Sequence, residues 1–245
     1  MKNIYSSVAC GGMDVHHKLS NITFRNATGD VVRRERLENP QREKLFERIC
    51  LWSKGMLVVM EASFGWGWLS DLMEQAGLDV KLSNCYKVEQ MRKARGWVKT
   101  NKKDADLISL LPFEPTEWWK VWRAPRQVRN RREKMRFRGD LVELQTMVKN
   151  RIHAIFHRHG IFHEFSDLFG GKGRRFLAEL CLNGSEYLSS EALLALRGQV
   201  KLLEHIRKQL ADVGRILHRQ LQATPLIRRL KTIPGVGLIT QTDRF

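Results

Sequence analysis

The apolar residues of this chain change their period near residue 118. Before that point they come in short alternating runs bounded by turn residues, the pattern of strands in a sheet. Beyond it they recur every three or four residues, the pattern of helices that share one buried stripe. A chain of 245 residues with 42% hydrophobic content can fill cores for both. The change of period therefore predicts an α/β domain with a mixed sheet, followed by a helical segment.

Three strands are expected at the start: "SVACGGMDV", "KLSNITFRN" and, after the turn "ATGD", "VVRRERLE". Pro40 then opens a helix with Leu45, Ile49 and Trp52 on one face and Gly55 as its stop. "MLVVME" reads as a short buried strand, residues 65–76 as a second helix, "LDVKLSN" as a strand and 86–95 as a third helix. The order is β-β-β-α-β-α-β-α. "SFGWGW" lacks a phosphate-loop pattern and reads as a strand-to-helix turn with aromatic packing.

From "WWKVW" onward the spacing is helical, with Leu141, Leu144, Val148, Ile152 and Ile155 on one stripe. A second tract, 186–222, sets Leu193, Leu196, Val200, Leu203, Ile206, Leu210, Val213 and Leu217 at steps of three and four. That rhythm suits an antiparallel helical hairpin, a coiled coil or an ordinary bundle. "FGGKGRR" between the tracts reads as a flexible basic turn.

Charge narrows the partner. The formal net charge is +17, and residues 87–138 hold 16 Lys or Arg against 6 Asp or Glu. So local a surplus points to a nucleic acid. Arg126, Arg129, Arg131, Arg132, Arg136 and Arg138, with Lys99, Lys102, Lys103, Lys149 and Arg151, are the candidate phosphate contacts. Trp118, Trp119 and Trp122 suit either base stacking or a hinge packed between domains. No run approaches the roughly 20 apolar residues of a membrane span, and the N-terminus has no signal-peptide pattern, so a cytoplasmic location is expected. Cys10, Cys50, Cys85 and Cys181 are scattered without a CxxC pair, which argues against a zinc ribbon. His153 and His157 share a helix face without an acidic or cysteine partner, so nucleic-acid contact or surface exposure is expected there.

Among so many cations, three acids occupy telling positions. Asp14 closes the first strand, Glu61 closes the buried strand, and Asp104 lies near a helix start after the last strand. Each alone suits a cap or turn, and Asp106 is expected to be a helix-start residue facing away. Together, strand ends at one sheet edge with a helix alongside can hold Mg²⁺ or Mn²⁺ through oxygen ligands.

"GMDVHHK", "VVMEAS", "VKTNKKDAD", "VKNRIHAIFHRHG" and "LKTIPGVGLIT", in that order over about residues 8–240, resemble the DEDD transposases. That insertion-sequence family includes Piv-type DNA invertases and bridge-RNA-guided recombinases. The resemblance implies a RuvC-like, RNase H-type domain over 1–112, a basic helical or coiled-coil segment over 113–225, and over 226–245 the start of a C-terminal domain. Carried over, Asp14, Glu61 and Asp104 match three members of the acidic tetrad, and the remaining position falls on Asn101, where the family has aspartate. Asn101 offers a carbonyl oxygen but no charge. "IPGVG" resembles the hairpin of a helix-hairpin-helix, whose Gly235 and Gly237 amides can hold phosphate. Only "LITQTDRF" follows it, so the chain is expected to stop before the family's serine nucleophile.

The resemblance implies a DNA transposase or site-specific recombinase, with DNA, a structured guide RNA and a second copy of the chain as partners. Two alternatives stay open. One is a metal-dependent nuclease that uses the RuvC-like domain alone, RNA-guided or structure-selective. The other is a non-catalytic nucleic-acid-binding remnant or regulator.

Overall fold

The alternating N-terminal runs form a meander: β1 (Cys10–Val15), β2 (Leu19–Arg25) and β3 (Val31–Glu38) pair antiparallel. In this computed structural model, residues 5–98, 101–221, 229–230 and 232–234 are described, with backbone alone at 101, 102 and 221. The β2–β3 turn closes because Asn26 Oδ1 accepts from the amides of Thr28 and Asp30, at 3.1 and 2.8 Å. Helix α1 (Arg42–Cys50) then carries the chain across the sheet to β4 (Leu57–Glu61), which lies parallel to β1. Helix α2 (Trp66–Gln75) makes a second crossover to β5 (Asp79–Ser83), parallel to β4. The six-stranded order is β3-β2-β1-β4-β5-β6, compatible with an RNase H-like fold.

Alternation along the strands divides two cores. Met13, Ile22, Phe24, Val58 and Met60 face α1 and α2, meeting Leu45, Ile49, Leu69 and Met73. Val59 faces the other side, with α3 (Cys85–Ala94) and α4 (Asn101–Ile108), and packs with Val88, Leu107, Ile108, Leu111 and Trp119.

The structure corrects the sequence reading around residue 118. Helical structure does not begin there: Lys120–Val121 form β6, antiparallel to β5, and helix α5 (Arg126–Arg158) starts after Pro125. Proline disfavours helical backbone in the residue before it, which keeps Ala124 out of the helix. Trp119 is only 2% exposed inside the α3/α4 core, so it cannot stack bases, while Trp122 is exposed.

The chain divides into two compact units, Met1–Arg126 and Gln127–Phe245. In the second, α5, α6 (Gly171–Asn183) and α7 (Ser190–Leu221) share one core of Leu141, Val148, Ile152, Leu177, Leu180, Leu196, Leu203 and Ile206. Lys134, early in α5, donates to Gln220, late in α7, at 2.9 Å, which sets the two helices antiparallel. Three helices therefore share the stripe. All eight apolar positions expected on α7 are buried or partly buried, but Leu144 of α5 is exposed.

"FGGKGRR" is no flexible turn, because α6 begins at Gly171. A Cβ on Gly173 would lie 2.1 Å from the Leu168 carbonyl oxygen. This glycine permits a close backbone approach, a role that composition alone cannot distinguish from flexibility.

Among the described residues no helix is long and apolar enough to cross a membrane. All four cysteines are free thiols.

Candidate active site

Gly12 decides where α4 lies. A Cβ there would stand 2.0 Å from the amide nitrogen and 2.3 Å from the Cα of Ser109, at the end of α4. The helix thus rests directly on the β1 backbone. Its seat is polar on the side of β2 and β3. Gly12, Thr23 and Arg34 form one cross-strand row. Thr23 donates to Asp106 at 2.7 Å, and Arg34 grips the same carboxylate through two nitrogens, at 2.8 and 3.0 Å. One row away, Arg25 donates to Ser109 Oγ at 2.7 Å and to the Asp106 carbonyl at 3.2 Å.

Asp106 is therefore a clamp between helix and sheet, not the helix-start residue expected. Burial pushes its carboxyl up, but the hydrogen bonds from Arg34 and Thr23 and the positive charges of Arg34 and Arg25 outweigh that. The group is held below its ordinary value.

Two rows of contacts also fix the direction of α4. Moving from Ser109 back to Asp106 passes from the Arg25 row to the Thr23 row, and so towards Asp14. Five residues of helix from Ser109 to Asp104 span about 7.5 Å. Two residues of strand from Gly12 to Asp14 span about 6.6 Å. Asp104 is thus carried to the level of Asp14. Glu61 arrives by register: Gly12 pairs with Val59 and Met13 with Met60, and one further step sets Asp14 opposite Glu61 on the same sheet face.

The three acids line one cleft of about 640 Å³, together with His16, Phe64, Trp68, Cys85, Tyr86, Glu89 and Arg92. Asp14 is 7% exposed, while Glu61 and Asp104 are partly buried. Each is already engaged. His16 Nε2 lies 2.9 Å from Asp14 Oδ2. Burial pushes the Cys85 thiol up, and the charge of Glu61 and a hydrogen bond to it add to that rise. Glu89 takes both forks of Arg92, at 2.5 and 2.9 Å. That hydrogen bonding, followed by the charges of Glu89 and Asp104, raises the Arg92 pKa. Among the described residues no three His, Cys, Asp or Glu side chains stand in a metal-holding arrangement. The donor chemistry nonetheless suits a hard divalent cation, because three carboxylates line a single cleft.

Backbone alone is described at Asn101 and Lys102, and Lys99, Gly235 and Gly237 lie outside the described residues. Lys103 is exposed on α4. On α5, Arg126, Arg131, Arg136 and Arg151 are exposed, and Arg129, Arg132, Arg138 and Lys149 are partly buried. Arg136 pairs with Glu133 at 3.4 Å, and Lys149 Nζ lies 5.3 Å from the centre of the Phe169 ring. His163 is packed against Phe156 and Phe165, whereas His153 and His157 are exposed.

Sequence reasoning missed His16, Cys85, Glu89 and Arg92. The signals available were a histidine two residues after the acid and an acid-arginine pair three apart on one helix. "SFGWGW" holds a sharper surprise. Trp66 and Trp68 pack against the core, with the Arg42 guanidinium 4.8 Å over the Trp68 ring, as a packed turn should. Phe64 does not pack: it is 101% exposed at the cleft.

A family model described as a transposase, of the DEDD type, matches residues 11–161. No curated protein matches the chain.

Proposed function

The chain belongs to the IS110 family of DEDD transposases, and from that premise we propose that its acidic cleft acts on the phosphodiester of a DNA strand undergoing transposition or site-specific recombination. One observation carries this reading: Asp14, Glu61 and Asp104, far apart in sequence, line one cleft. Those three carboxylates would hold Mg²⁺ or Mn²⁺, with Asn101 contributing a carbonyl oxygen. When bound, such an ion polarises the phosphodiester and makes a hydroxyl or water a better nucleophile.

The remaining steps fall to the chain itself. Gly12, Thr23, Arg34 and Arg25 fix α4 and hence Asp104. His16 orients Asp14 through their 2.9 Å hydrogen bond. Basic helix α5 supplies cations for the DNA backbone and for a structured guide RNA, since Arg and Lys bind phosphate without reading sequence. A pair of chains is expected, because recombination joins two cut sites and each needs an acidic cleft.

A second reading, a non-catalytic nucleic-acid-binding protein, is favoured by Asn101. One carboxylate fewer weakens the field that holds a divalent cation. The deciding experiment is calorimetric titration with Mg²⁺ and Mn²⁺, together with nicking of supercoiled DNA, on the parent chain, Asp14→Ala and Asn101→Asp. Metal binding and nicking by the parent that Asp14→Ala removes support the catalytic reading. Metal binding by Asn101→Asp alone supports the second. Nicking that survives Asp14→Ala sinks the assignment of the acids.

A further inference from the structure

We propose that Phe64 and Tyr86 form a base wedge at the lip of the acidic cleft, taking an unpaired nucleobase of the strand that the cleft acts on. The inference rests on the reading above. Single exposed apolar residues are ordinary on a protein surface. These two differ in place and in mounting. Phe64 is the most exposed large apolar side chain among the described residues, Tyr86 is 70% exposed, and both line the cleft that holds the three acids.

Their backbones are fixed from two different elements. Phe64 stands three residues after Glu61, between the end of β4 and Gly65, whose φ of 89° is open to glycine and whose position caps α2. Tyr86 is the second residue of α3, a helix capped by Asn84, which accepts from the Lys87 amide at 3.2 Å. Neither ring is on a long mobile loop.

Chemistry then selects the ligand. Phe64 has no polar atom, so it can offer only a stacking face and the exclusion of water. Every base has such a face, which makes the contact tolerant of sequence. Tyr86 adds a hydroxyl that can meet the edge of a base. A phosphodiester must approach carboxylates that lie inside the cleft, Asp14 being almost wholly buried. A regularly stacked duplex resists that approach. An apolar side chain inserted at a base step unstacks the step and bends the strand.

The test compares binding, by fluorescence anisotropy without divalent metal, to a short duplex and to the same duplex with a single-base bulge. The parent is expected to favour the bulge by about tenfold, the equivalent of about 1.4 kcal/mol. The double variant Phe64→Ala/Tyr86→Ala should lose that preference while keeping the parent's affinity for the paired duplex. Phe64→Trp should keep the preference. Circular dichroism and melting should match the parent, since neither ring is in a core. A parent without the preference, or a double variant that retains it, overturns the wedge. Asp14→Ala separates the two readings: if it still nicks DNA while the preference holds, the acid assignment fails and the wedge stands. If it abolishes nicking while the double variant binds like the parent, the wedge alone fails.

Discussion

Replacing Gly12 by alanine should damage the fold and the cleft together. The new Cβ would meet Ser109 N at 2.0 Å, Ser109 Cα at 2.3 Å and the Ile108 carbonyl carbon at 2.6 Å, all backbone atoms that no side-chain rotation can move aside. Carbon contacts settle near 3.5 Å or more, so α4 must retreat by about 1.5 Å. Retreat loosens Leu107 and Ile108 from their core and stretches the Arg25 bond to Ser109. The combined cost is about 3 kcal/mol or more, a fall in melting temperature on the order of 10 °C for a unit of this size. Asp104 travels with the helix. A displacement of about 1 Å at reacting groups can lower a rate by about a hundredfold, so divalent-dependent nicking should fall at least that far. All seven tryptophans lie in the first unit, so their fluorescence during urea unfolding follows that unit alone. Gly11→Ala is the control. Its Cβ would meet side-chain atoms alone, Ile22 Cδ1 at 3.0 Å and Phe24 Cδ1 at 3.4 Å on the opposite face, and it should cost about 1 kcal/mol. If Gly12→Ala unfolds within about 0.5 kcal/mol of the parent and nicks DNA normally, the seat of α4 is not what positions Asp104.

Other consequences are open to simple measurement. Asp106→Asn should cost about 1–2 kcal/mol, kept modest by the exposure of Arg34. Because the folded carboxyl lies below its unfolded value of about 3.9, its contribution is present above that pH and lost as pH falls through the folded value. The variant should therefore show a flatter acid limb in urea unfolding below about pH 4, and an unchanged limb would count against the clamp. Gly173→Ala should destabilise the helical unit by about 3 kcal/mol, seen as an earlier loss of far-ultraviolet helical signal, because the Leu168 carbonyl cannot yield cheaply. Arg131→Ala and Arg151→Ala should each lower the slope of log affinity for duplex DNA against log salt by about 0.9 if each guanidinium holds one phosphate. An unchanged slope removes that residue from the interface.

Much of the first unit was legible because strand alternation and turn residues are local signals. "ATGD" announced its turn, and strand ends placed Asp14 and Glu61 on one edge. What stayed hidden is non-local. Gly12 is one of two adjacent glycines in a strand, and nothing nearby says that a helix nearly a hundred residues later rests on it. Asp106 resembles any acid near a helix start until Arg34 and Thr23 are brought beneath it. Trp119 and Trp122 share a composition and differ only in which of them the α3/α4 core takes in. "FGGKGRR" misled because glycine serves both freedom and close approach.

The seat of α4 also orders the events of folding. The β1–β2–β3 meander closes through turns of a few residues, whereas Thr23 and Asp106 meet across 83 positions of chain. Short closures come first, because long ones pay more loop entropy before any contact rewards them. The sheet should thus exist as a scaffold with two acids on its edge before the helix bearing the third has docked. A nascent chain released up to β5 carries two of the three acids, and the cleft is completed in one late step. Pulse-labelled amide exchange should show protection at β1–β3 ahead of α4.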